Sequence, residues 1–266
     1  MLKRAVQYGA SRFGYRLLRE STYQSLVVRS GGSDDLDLLQ ELQPEFLSET
    51  LGLLTKSKAQ LRQDLLAYFY ADRKKSGYFV EFGATDGVEK SNTYLLEREF
   101  GWSGILAEPN RSWHQELRSK RSVKIDERCV WSEGGEELEF AECENQELAT
   151  LESLLHSDLH RRSRRVINRY RVQTVTLDEL LLTHQAPKFI DFLSVDTEGS
   201  EAEIIRNFDF STWEFGFVCI EHNRRKESED QIETTLSSNG YQRVGKAVSK
   251  FDAWFIGPSI RRSVLK

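Results

Sequence analysis

The feature that most constrains this chain is an apolar run ending in a glycine turn, Tyr78-Phe-Val-Glu-Phe-Gly-Ala-Thr-Asp-Gly87. A second apolar run, Gly104-Ile-Leu-Ala-Glu-Pro109, ends on the acidic Glu108, twenty-five residues after Gly83. A glycine turn after one strand, followed by an acid at the tip of the next, is typical of a doubly wound α/β domain with a ribose-containing cofactor. The two runs therefore predict such a domain.

Acidic residues surround this turn. Glu81 and Asp86 flank it, Glu108 ends the second run, and Asp196 and Glu198 follow a later apolar run. A dinucleotide fold presents backbone N–H groups to a pyrophosphate anion, which these carboxylates would repel. The acidic rim suits a cofactor with a cationic sulfonium, a free amino group and no phosphate. S-adenosylmethionine fits this description and NAD does not.

Length and composition limit the other possibilities. The 266 residues suffice for one α/β domain of about 200 residues plus an extension. The net charge of −5 gives no general affinity for nucleic acid. Three scattered cysteines, Cys129, Cys143 and Cys219, are expected to be reduced thiols in the cytoplasm. No apolar run reaches the roughly 18–20 residues of a transmembrane segment, so none is expected.

The chain before the first predicted strand divides into an arm and a helical region. The first nineteen residues hold five basic side chains, no acid and interleaved apolar residues. This basic arm, residues 1–30, suits a membrane surface, a transit peptide or a packed terminal helix. After the break at Ser30-Gly-Gly-Ser-Asp-Asp35, residues 36–75 have leucines at helical spacing. We predict an N-terminal helical extension over 1–56 and the α/β domain over 57–266.

From residue 77 onward, strand and helix patterns alternate, which indicates a mostly parallel sheet. Strands are predicted near 78–82, 104–108, 122–126, 171–176, 189–195, 215–221, 241–247 and 251–256. Helices are predicted at 91–99, 110–119, 177–183, 198–207 and 228–238. The last two strands are joined by a few residues around Ser249, too few for a parallel crossover. They are therefore expected to form an antiparallel C-terminal hairpin.

Residues 133–171 interrupt this alternation and are predicted to be an insertion that forms a substrate lid. Seven glutamates lie between Glu133 and Glu147, and six arginines follow. The arginines suit a phosphate or the pyrophosphate of a nucleotide sugar, but equally suit ion pairs with the preceding glutamates in a charged lid helix. These arginines are Arg161, Arg162, Arg164, Arg165, Arg169 and Arg171.

From about residue 57 to 257 the chain resembles the FkbM-type family of S-adenosylmethionine-dependent methyltransferases. The motifs that carry this resemblance, besides the two apolar runs above, are Ser91-Asn-Thr93, Thr176-Leu-Asp-Glu-Leu180, Ile190-Asp-Phe-Leu-Ser-Val-Asp-Thr-Glu-Gly-Ser-Glu201 and Cys219-Ile-Glu-His-Asn223. The resemblance implies a class I, Rossmann-like fold with a seven-stranded sheet. It also implies an O-methyltransferase for hydroxyls of sugars and polyketide-type products. The first 56 residues and the insertion lie outside it.

The predicted cofactor site centres on the glycine turn. Gly83 and Gly87, with Ala84 between them, allow close approach of the backbone. Glu81 is expected to face the amino group of the methionine moiety, and Glu108 to accept hydrogen bonds from both ribose hydroxyls.

Other polar residues around this site have two interpretations each. Asp86 contacts the cofactor or only caps the following helix. Asp126 and Glu127 meet the adenine edge or are surface acids. Residues 91–93, with Asn92 at the centre, form a polar wall or an N-terminal cap. A last group, Gln60, Gln63 and Asp64, covers the cofactor or forms a solvated helix face.

The predicted catalytic residues are His222, Asp196 and Glu198. Asp196 and the 221–223 segment follow neighbouring strands, so they are expected to emerge side by side. His222 is the expected general base for a hydroxyl acceptor, and Asp196 orients it or is itself the base. A divalent metal such as Mg²⁺ is a further possibility, held by Asp196 with Glu221 or Asn223.

Rival functions are disfavoured by what the sequence lacks. The GxGxxG spacing of an NAD-dependent oxidoreductase is absent, as are the GxSxG, HExxH and GxxxxGK[ST] motifs of hydrolases and NTPases. A non-catalytic interaction protein that retains the fold stays open. The expected partners are a small-molecule or glycan acceptor and a second copy of the chain in a homo-oligomer, without nucleic acid.

Overall fold

The computed structural model describes residues 33–155 and 163–266. The predicted basic arm, with Arg161 and Arg162, lies outside these ranges. No helix in the described ranges has the length and apolar character needed to cross a membrane.

The helices and strands alternate along most of the described chain. The α-helices are α1 (Ser33–Glu41), α2 (Pro44–Leu53), α3 (Gln63–Tyr70), α4 (Tyr94–Phe100), α5 (His114–Lys120), α6 (Leu177–Thr183), α7 (Glu201–Arg206) and α8 (Lys226–Ser238). The strands are β1 (Tyr78–Phe82), β2 (Ser103–Ala107), β3 (Lys124–Asp126), β4 (Cys129–Val130), β5 (Glu137–Cys143), β6 (Thr150–Leu151), β7 (Val166–Val175), β8 (Phe189–Val195), β9 (Glu214–Glu221), β10 (Gln242–Val244) and β11 (Asp252–Ile256).

The main sheet is mixed and has the strand order β10-β11-β9-β8-β1-β2-β3. Strands β9, β8, β1, β2 and β3 are parallel to one another, whereas β11 runs antiparallel to both β9 and β10. The predicted α/β class is therefore confirmed. The chain winds from β1 toward β3 on one side and from β8 toward β9 on the other. Ligands of such sheets bind where the winding direction switches, at the carboxyl ends of the strands.

Apolar layers cover both faces of the sheet, as expected for parallel strands whose sequences are nearly continuous apolar runs. One layer contains Phe79 and Phe69, and Leu38 of α1 and Phe46 of α2 belong to the same cluster. The opposite layer contains Val80 and residues of β8 and β9. The described part of the predicted N-terminal extension thus packs into the main core.

The predicted strand at 171–176 does not belong to the main sheet. It is the end of the ten-residue strand β7, which lies in a separate sheet with the order β4-β7-β5-β6. Strand β7 pairs antiparallel with β5, so the described part of the predicted insertion contains a small β-sheet rather than a charged helix. The sequence of β5 explains why it forms a strand: Leu138 and Phe140 alternate with the exposed Glu137 and Glu139.

Candidate functional site

The central strands place one row of side chains on a common face of the sheet. Glu81 of β1 is paired with Ser194 of β8, and Ser194 with Cys219 of β9. Because side chains alternate along a strand, residues two positions further on face the same way. Gly83, Asp196 and Glu221 therefore meet at the carboxyl edge, as predicted for the last two.

Two cavities open at this edge, with empty space of about 660 and 610 Å³ including their mouths. The first, the β2-side cavity, is lined by residues including Glu108, Asn110, Trp113, Cys129, Phe140 and Thr150. The second, the β9-side cavity, is lined by residues including Gln60, Gln63, Glu81, Asn92, Glu221 and Asp252. Both cavities share Phe82, Gly83, Thr85, Glu147 and Asp196.

Gly83 lies between the two cavities in a conformation that requires glycine. Its φ is +70°, in the left-handed region. A Cβ atom at this position would be 2.1 Å from the backbone oxygen of Asp196. The predicted close approach of the backbone at Gly83 is therefore present, directly beside the second acidic loop.

Glu108 lines the β2-side cavity and is held by two backbone donors. The N–H of Thr85 and the N–H of Asn110 each donate to its carboxylate at 2.8 Å. Burial raises the pKa of Glu108 to about 7, the two N–H groups oppose this rise, and the charge of Asp196 adds to it. The carboxyl group is thus fixed in place and titrates near neutral pH.

Glu81 lines the β9-side cavity and is held by the segment 91–93. Its carboxylate accepts hydrogen bonds from the Asn92 N–H at 2.7 Å, from Ser91 Oγ at 3.0 Å and from Thr93 Oγ1. Asn92 Nδ2 donates to Ser194 Oγ at 2.9 Å, whereas its Oδ1 is buried with no partner among the described residues. Segment 91–93 therefore forms a polar wall beside the cavity, and its Ser91 Oγ also accepts the N–H groups of Thr93 and Tyr94 at the start of α4, so each predicted interpretation describes part of it.

Three carboxylates converge beside Gly83. Asp196, Glu198 and Glu221 each place an oxygen within 4.8 Å of the others. Burial raises the pKa values of Asp196 and Glu221, which hydrogen-bond to each other, and the charge of Asp196 raises the pKa of Glu221 further. The pair therefore retains one proton at neutral pH. Glu198 is tied to Arg164, whose Nη2 donates to it at 3.1 Å.

The carboxylate cluster differs from the predicted metal site in one ligand. Asn223 lines neither cavity, and its Nδ2 donates to Glu221 at 2.9 Å. Glu198, instead of Asn223, is the third member of the cluster. All three groups are hard oxygen donors of the kind that Mg²⁺ prefers.

His222 does not occupy the position of a general base. Its Nε2 bonds to the backbone oxygen of Asp252 at 3.1 Å, and its Nδ1 accepts the N–H of Arg224 at 3.1 Å. Burial also lowers its pKa. Because consecutive strand residues face opposite ways, Glu221 points into the cavity and His222 points away from it. The base role predicted for His222 is corrected accordingly.

Three predicted positions in the glycine turn line neither cavity: Ala84, Asp86 and Gly87. Asp86 accepts the N–H groups of Val88 and Glu89 and pairs with Lys120 at 2.8 Å. Both N–H groups belong to a turn, since the next helix, α4, begins only at Tyr94, so Asp86 closes this turn and does not cap a helix. The other two are Ala84, which is buried, and Gly87, whose φ is +78°.

The acids after β3 are also engaged elsewhere. Asp126 is bound by Arg128 and, at 2.8 Å, by His184. Glu127 pairs with Arg118 and His114. Neither Asp126 nor Glu127 lines a cavity, so the structure gives no support to their predicted adenine contact.

The segment before β1 contributes part of its predicted polar group. Gln60 and Gln63 line the β9-side cavity, and Gln63 Nε2 donates to Asp252 at 2.8 Å. Asp64 lies away from the cavity and accepts from Ser57 at 2.7 Å. Asp252 itself was missed by sequence reasoning, although its place at the start of a strand beside β9 is a recognisable signal.

The insertion forms part of the wall of the β2-side cavity. Its residues Phe140, Gln146, Ala149, Thr150 and Leu151 line that cavity. Arg164 holds this wall through Leu148 O at 2.9 Å and Leu155 O at 3.2 Å, besides Glu198. Three other arginines of the insertion pair with glutamates, which is the second predicted alternative for the cluster: Arg165 with Glu144, Arg169 with Glu152 and Arg171 with Glu137.

A family model described as the methyltransferase FkbM domain matches residues 81–243, more than half of the chain. No curated protein matches the chain. Among solved structures, it is similar to a mutant of MtNAS in complex with S-adenosylmethionine, at 12% identity and TM-score 0.33, over 89% of this chain and 70% of that one. It is also similar to the CurJ carbon methyltransferase, at 8% identity and TM-score 0.36, over 96% and 70%. At these scores neither likeness carries an argument.

Proposed function

The chain belongs to the FkbM methyltransferase family, and from this premise we propose that it is an S-adenosylmethionine-dependent O-methyltransferase. Its proposed acceptor is a hydroxyl of a sugar, a glycan or a small-molecule natural product. One observation carries the proposal: an acid-lined cleft at the switch point of the sheet, where Gly83 separates Glu108 from Glu81 and Asp196. The acids lie on both sides of a backbone turn that a ligand can approach closely.

The β2-side cavity would hold the adenosine moiety. Glu108 is positioned to accept hydrogen bonds from the two ribose hydroxyls while the Thr85 and Asn110 N–H groups keep its carboxylate in place. Trp113, Val130 and Phe140 supply apolar surface around it for a planar base. This division follows the usual composition of a ligand site, with mostly apolar walls and a few fixed polar groups.

The β9-side cavity would hold the methionine moiety. Asn92 Oδ1 is a buried acceptor without a partner among the described residues, and a buried acceptor of this kind is costly until a donor reaches it. An ammonium group supplies such donors, and Glu81 beside Asn92 supplies the opposite charge. When bound, S-adenosylmethionine supplies an electrophilic methyl group on a cationic sulfonium. Asp196 and Glu221 favour a cation at this position by charge alone.

The Asp196–Glu221 pair is the proposed general base. One carboxyl of the pair holds a proton and the other is ionised at neutral pH, because burial and mutual repulsion disfavour two charges. The ionised carboxyl would accept the proton of the acceptor hydroxyl, which is a poor nucleophile until that proton moves. The carboxylate cluster would also accommodate a hard cation, but no step of this proposal depends on one.

A third cavity suggests the path of the acceptor. It shares Gln60, Glu89 and Phe251 with the β9-side cavity and opens beside the 57–62 segment. Its charged side chains are all paired, Asp35 with Arg62, Lys58 with Glu89, and Asp34 with Lys250 outside the lining. A wall of paired charges and one aromatic ring suits a neutral polyhydroxyl compound better than an anion.

The proposal is tested by calorimetry of S-adenosylmethionine binding to the full chain, to the Glu108→Ala variant and, as a control, with NAD. We expect micromolar binding by the wild type, a loss of binding in the variant and no binding of NAD. Release of S-adenosylhomocysteine is then followed while neutral sugars are screened as acceptors. A folded wild-type protein that does not bind S-adenosylmethionine would contradict the proposal and favour the non-catalytic interaction protein.

A further inference from the structure

Arg121 is a buried arginine that sequence reasoning did not single out. Its side chain is fully buried, and its Nε donates to Glu97 at 2.5 Å and its Nη1 to the backbone oxygen of Gly87 at 2.9 Å. A buried guanidinium is tolerated only when its charge and its N–H groups are compensated. The contacts with Glu97 and Gly87 account for only part of this compensation.

The rest is provided by two hydroxyl groups of the polar wall. Nη1 donates to Ser91 Oγ at 3.2 Å and Nη2 donates to Thr93 Oγ1 at 2.9 Å. A hydroxyl has a single proton and two lone pairs. Because the guanidinium occupies acceptor positions on both oxygens, their protons are directed elsewhere. Ser91 Oγ is further committed as an acceptor by the N–H groups of Thr93 and Tyr94.

Both protons are directed to Glu81. Ser91 Oγ donates to Glu81 Oε2 at 3.0 Å, and Thr93 Oγ1 donates to the same oxygen. The guanidinium itself lies 3.8 Å from Oε2, so its charge also acts on the carboxylate directly. The other oxygen, Oε1, accepts the Asn92 N–H, and a carboxylate oxygen has a further lone pair for a ligand.

We propose that Arg121 is a positioning residue for the cofactor site: through Ser91 and Thr93 it fixes the Glu81 carboxylate for the ammonium group of an amino-acid moiety. The inference rests on the proposed function, because it assumes that the β9-side cavity holds the methionine part of the cofactor. Arg121 does not line that cavity; it acts through the two hydroxyls and through its charge on Glu81.

The inference distinguishes two ligands with the same nucleoside. S-adenosylhomocysteine carries the amino-acid moiety and 5′-methylthioadenosine lacks it. The Arg121 relay is the set of hydrogen bonds from Arg121 through Ser91 and Thr93 to Glu81. Its loss misorients Glu81, so binding of S-adenosylhomocysteine becomes weaker while binding of 5′-methylthioadenosine is unchanged. A general loosening of the domain would weaken both ligands together, since both use the β2-side cavity.

The experiment is calorimetry of both ligands with the full chain and four variants. Thr93→Val removes one relay hydroxyl and retains the Arg121–Glu97 pair. Thr93→Ser keeps a hydroxyl at this position. Arg121→Met combined with Glu97→Met removes the relay and its counter-charge together, which buried pairs tolerate better than loss of one partner. Arg118→Gln, at an exposed arginine of α5, is the control for loss of an ion pair close to Arg121.

We expect Thr93→Val and the double variant to weaken S-adenosylhomocysteine about tenfold, the usual effect of one hydrogen bond to a charged group. Binding of 5′-methylthioadenosine should change less than twofold, and Thr93→Ser and Arg118→Gln should resemble the wild type. An equal loss for both ligands, or no loss for either, would overturn the positioning role. Wild-type protein that binds neither ligand would overturn the proposed function itself.

Discussion

The backbone of Gly83 lies against the carbonyl oxygen of Asp196, so that a Cβ atom on Gly83 would be 2.1 Å away from it. Two loops from neighbouring strands, β1 and β8, are thereby brought into direct contact between the two cavities. Gly101 has nearly the same backbone conformation, with φ +68° against +70°, but a Cβ atom there would meet nothing within 4 Å. Alanine substitutions at the two glycines therefore distinguish backbone strain alone, at Gly101, from backbone strain combined with a steric clash, at Gly83.

We predict that Gly83→Ala abolishes cofactor binding, whereas Gly101→Ala does not. Each substitution places alanine in the left-handed region and should cost about 1–2 kcal/mol of stability. Only Gly83→Ala also pushes the Asp196 loop away, which separates Glu81 and Asp196 from Glu108. Thermal unfolding and calorimetry of S-adenosylmethionine binding measure the two effects. Similar affinities in both variants would show that the contact is unimportant for the ligand.

Binding should weaken as the pH falls through 7, because of Glu108. Burial raises the pKa of this group to about 7, and only the ionised carboxylate accepts hydrogen bonds from both ribose hydroxyls at full strength. If binding requires the ionised form, the affinity for S-adenosylhomocysteine should be about tenfold lower at pH 6 than at pH 8.

The matched control for this pH dependence is Glu108→Gln, which keeps the shape of the side chain and does not titrate. Its affinity should be lower throughout and much less dependent on pH. Any slope that remains in the variant belongs to Asp196 and Glu221, whose pKa values are also raised. An undiminished slope in Glu108→Gln would assign the whole pH effect to that pair.

Asp196→Asn should lower the rate of methyl transfer about 10²–10⁴-fold, the usual contribution of a general base. His222→Gln should lower the melting temperature but change the rate by less than about threefold. The reason is that both ring nitrogens of His222 are bound to the main chain, at Asp252 and Arg224. Initial rates are measured as release of S-adenosylhomocysteine with an acceptor found by screening. A rate collapse in His222→Gln with an unaltered fold would restore the histidine as the base.

Arg164→Met should weaken S-adenosylhomocysteine and 5′-methylthioadenosine by similar factors, about tenfold each if two hydrogen bonds to the wall are lost. Arg164 holds the 148–155 segment, which lines the β2-side cavity shared by the nucleoside of both ligands. Arg165→Gln is the control, because that arginine is exposed and pairs with Glu144. This equal loss for both ligands contrasts with Thr93→Val, which should weaken only the binding of S-adenosylhomocysteine. A selective loss of S-adenosylhomocysteine would place Arg164 at the methionine end instead.

The sequence was sufficient to locate the acid-lined edge of the sheet. The apolar runs predicted β1, β8 and β9, and the residues that follow them meet as parallel topology requires. The error at His222 came from treating neighbours in sequence as neighbours in space. Strand alternation separates Glu221 from His222, a signal that the sequence already contained.

The insertion was harder to predict, because its glutamates and arginines suit a charged helix and a charged strand pair equally well. Alternation in Leu138 and Phe140 favours a strand, but only the pairing of β5 with β7 shows which cavity it covers. The relay joins Arg121 to side chains that lie 28 to 40 residues before it along the chain. No local pattern predicts such a network.

The walls of the cleft come from separate parts of the chain. The insertion encloses the β2-side cavity, whereas Gln60, Gln63, Phe251 and Asp252 enclose the β9-side cavity, with Glu147 alone reaching both from the insertion. The sequences of the two walls can therefore change independently of each other. Under the proposed function, substitutions around Gln60 and Phe251 would change which compound is modified, while the half proposed to hold the nucleoside stays intact. Related proteins with different products, and redesigned variants of this one, are expected to differ mainly along that second wall.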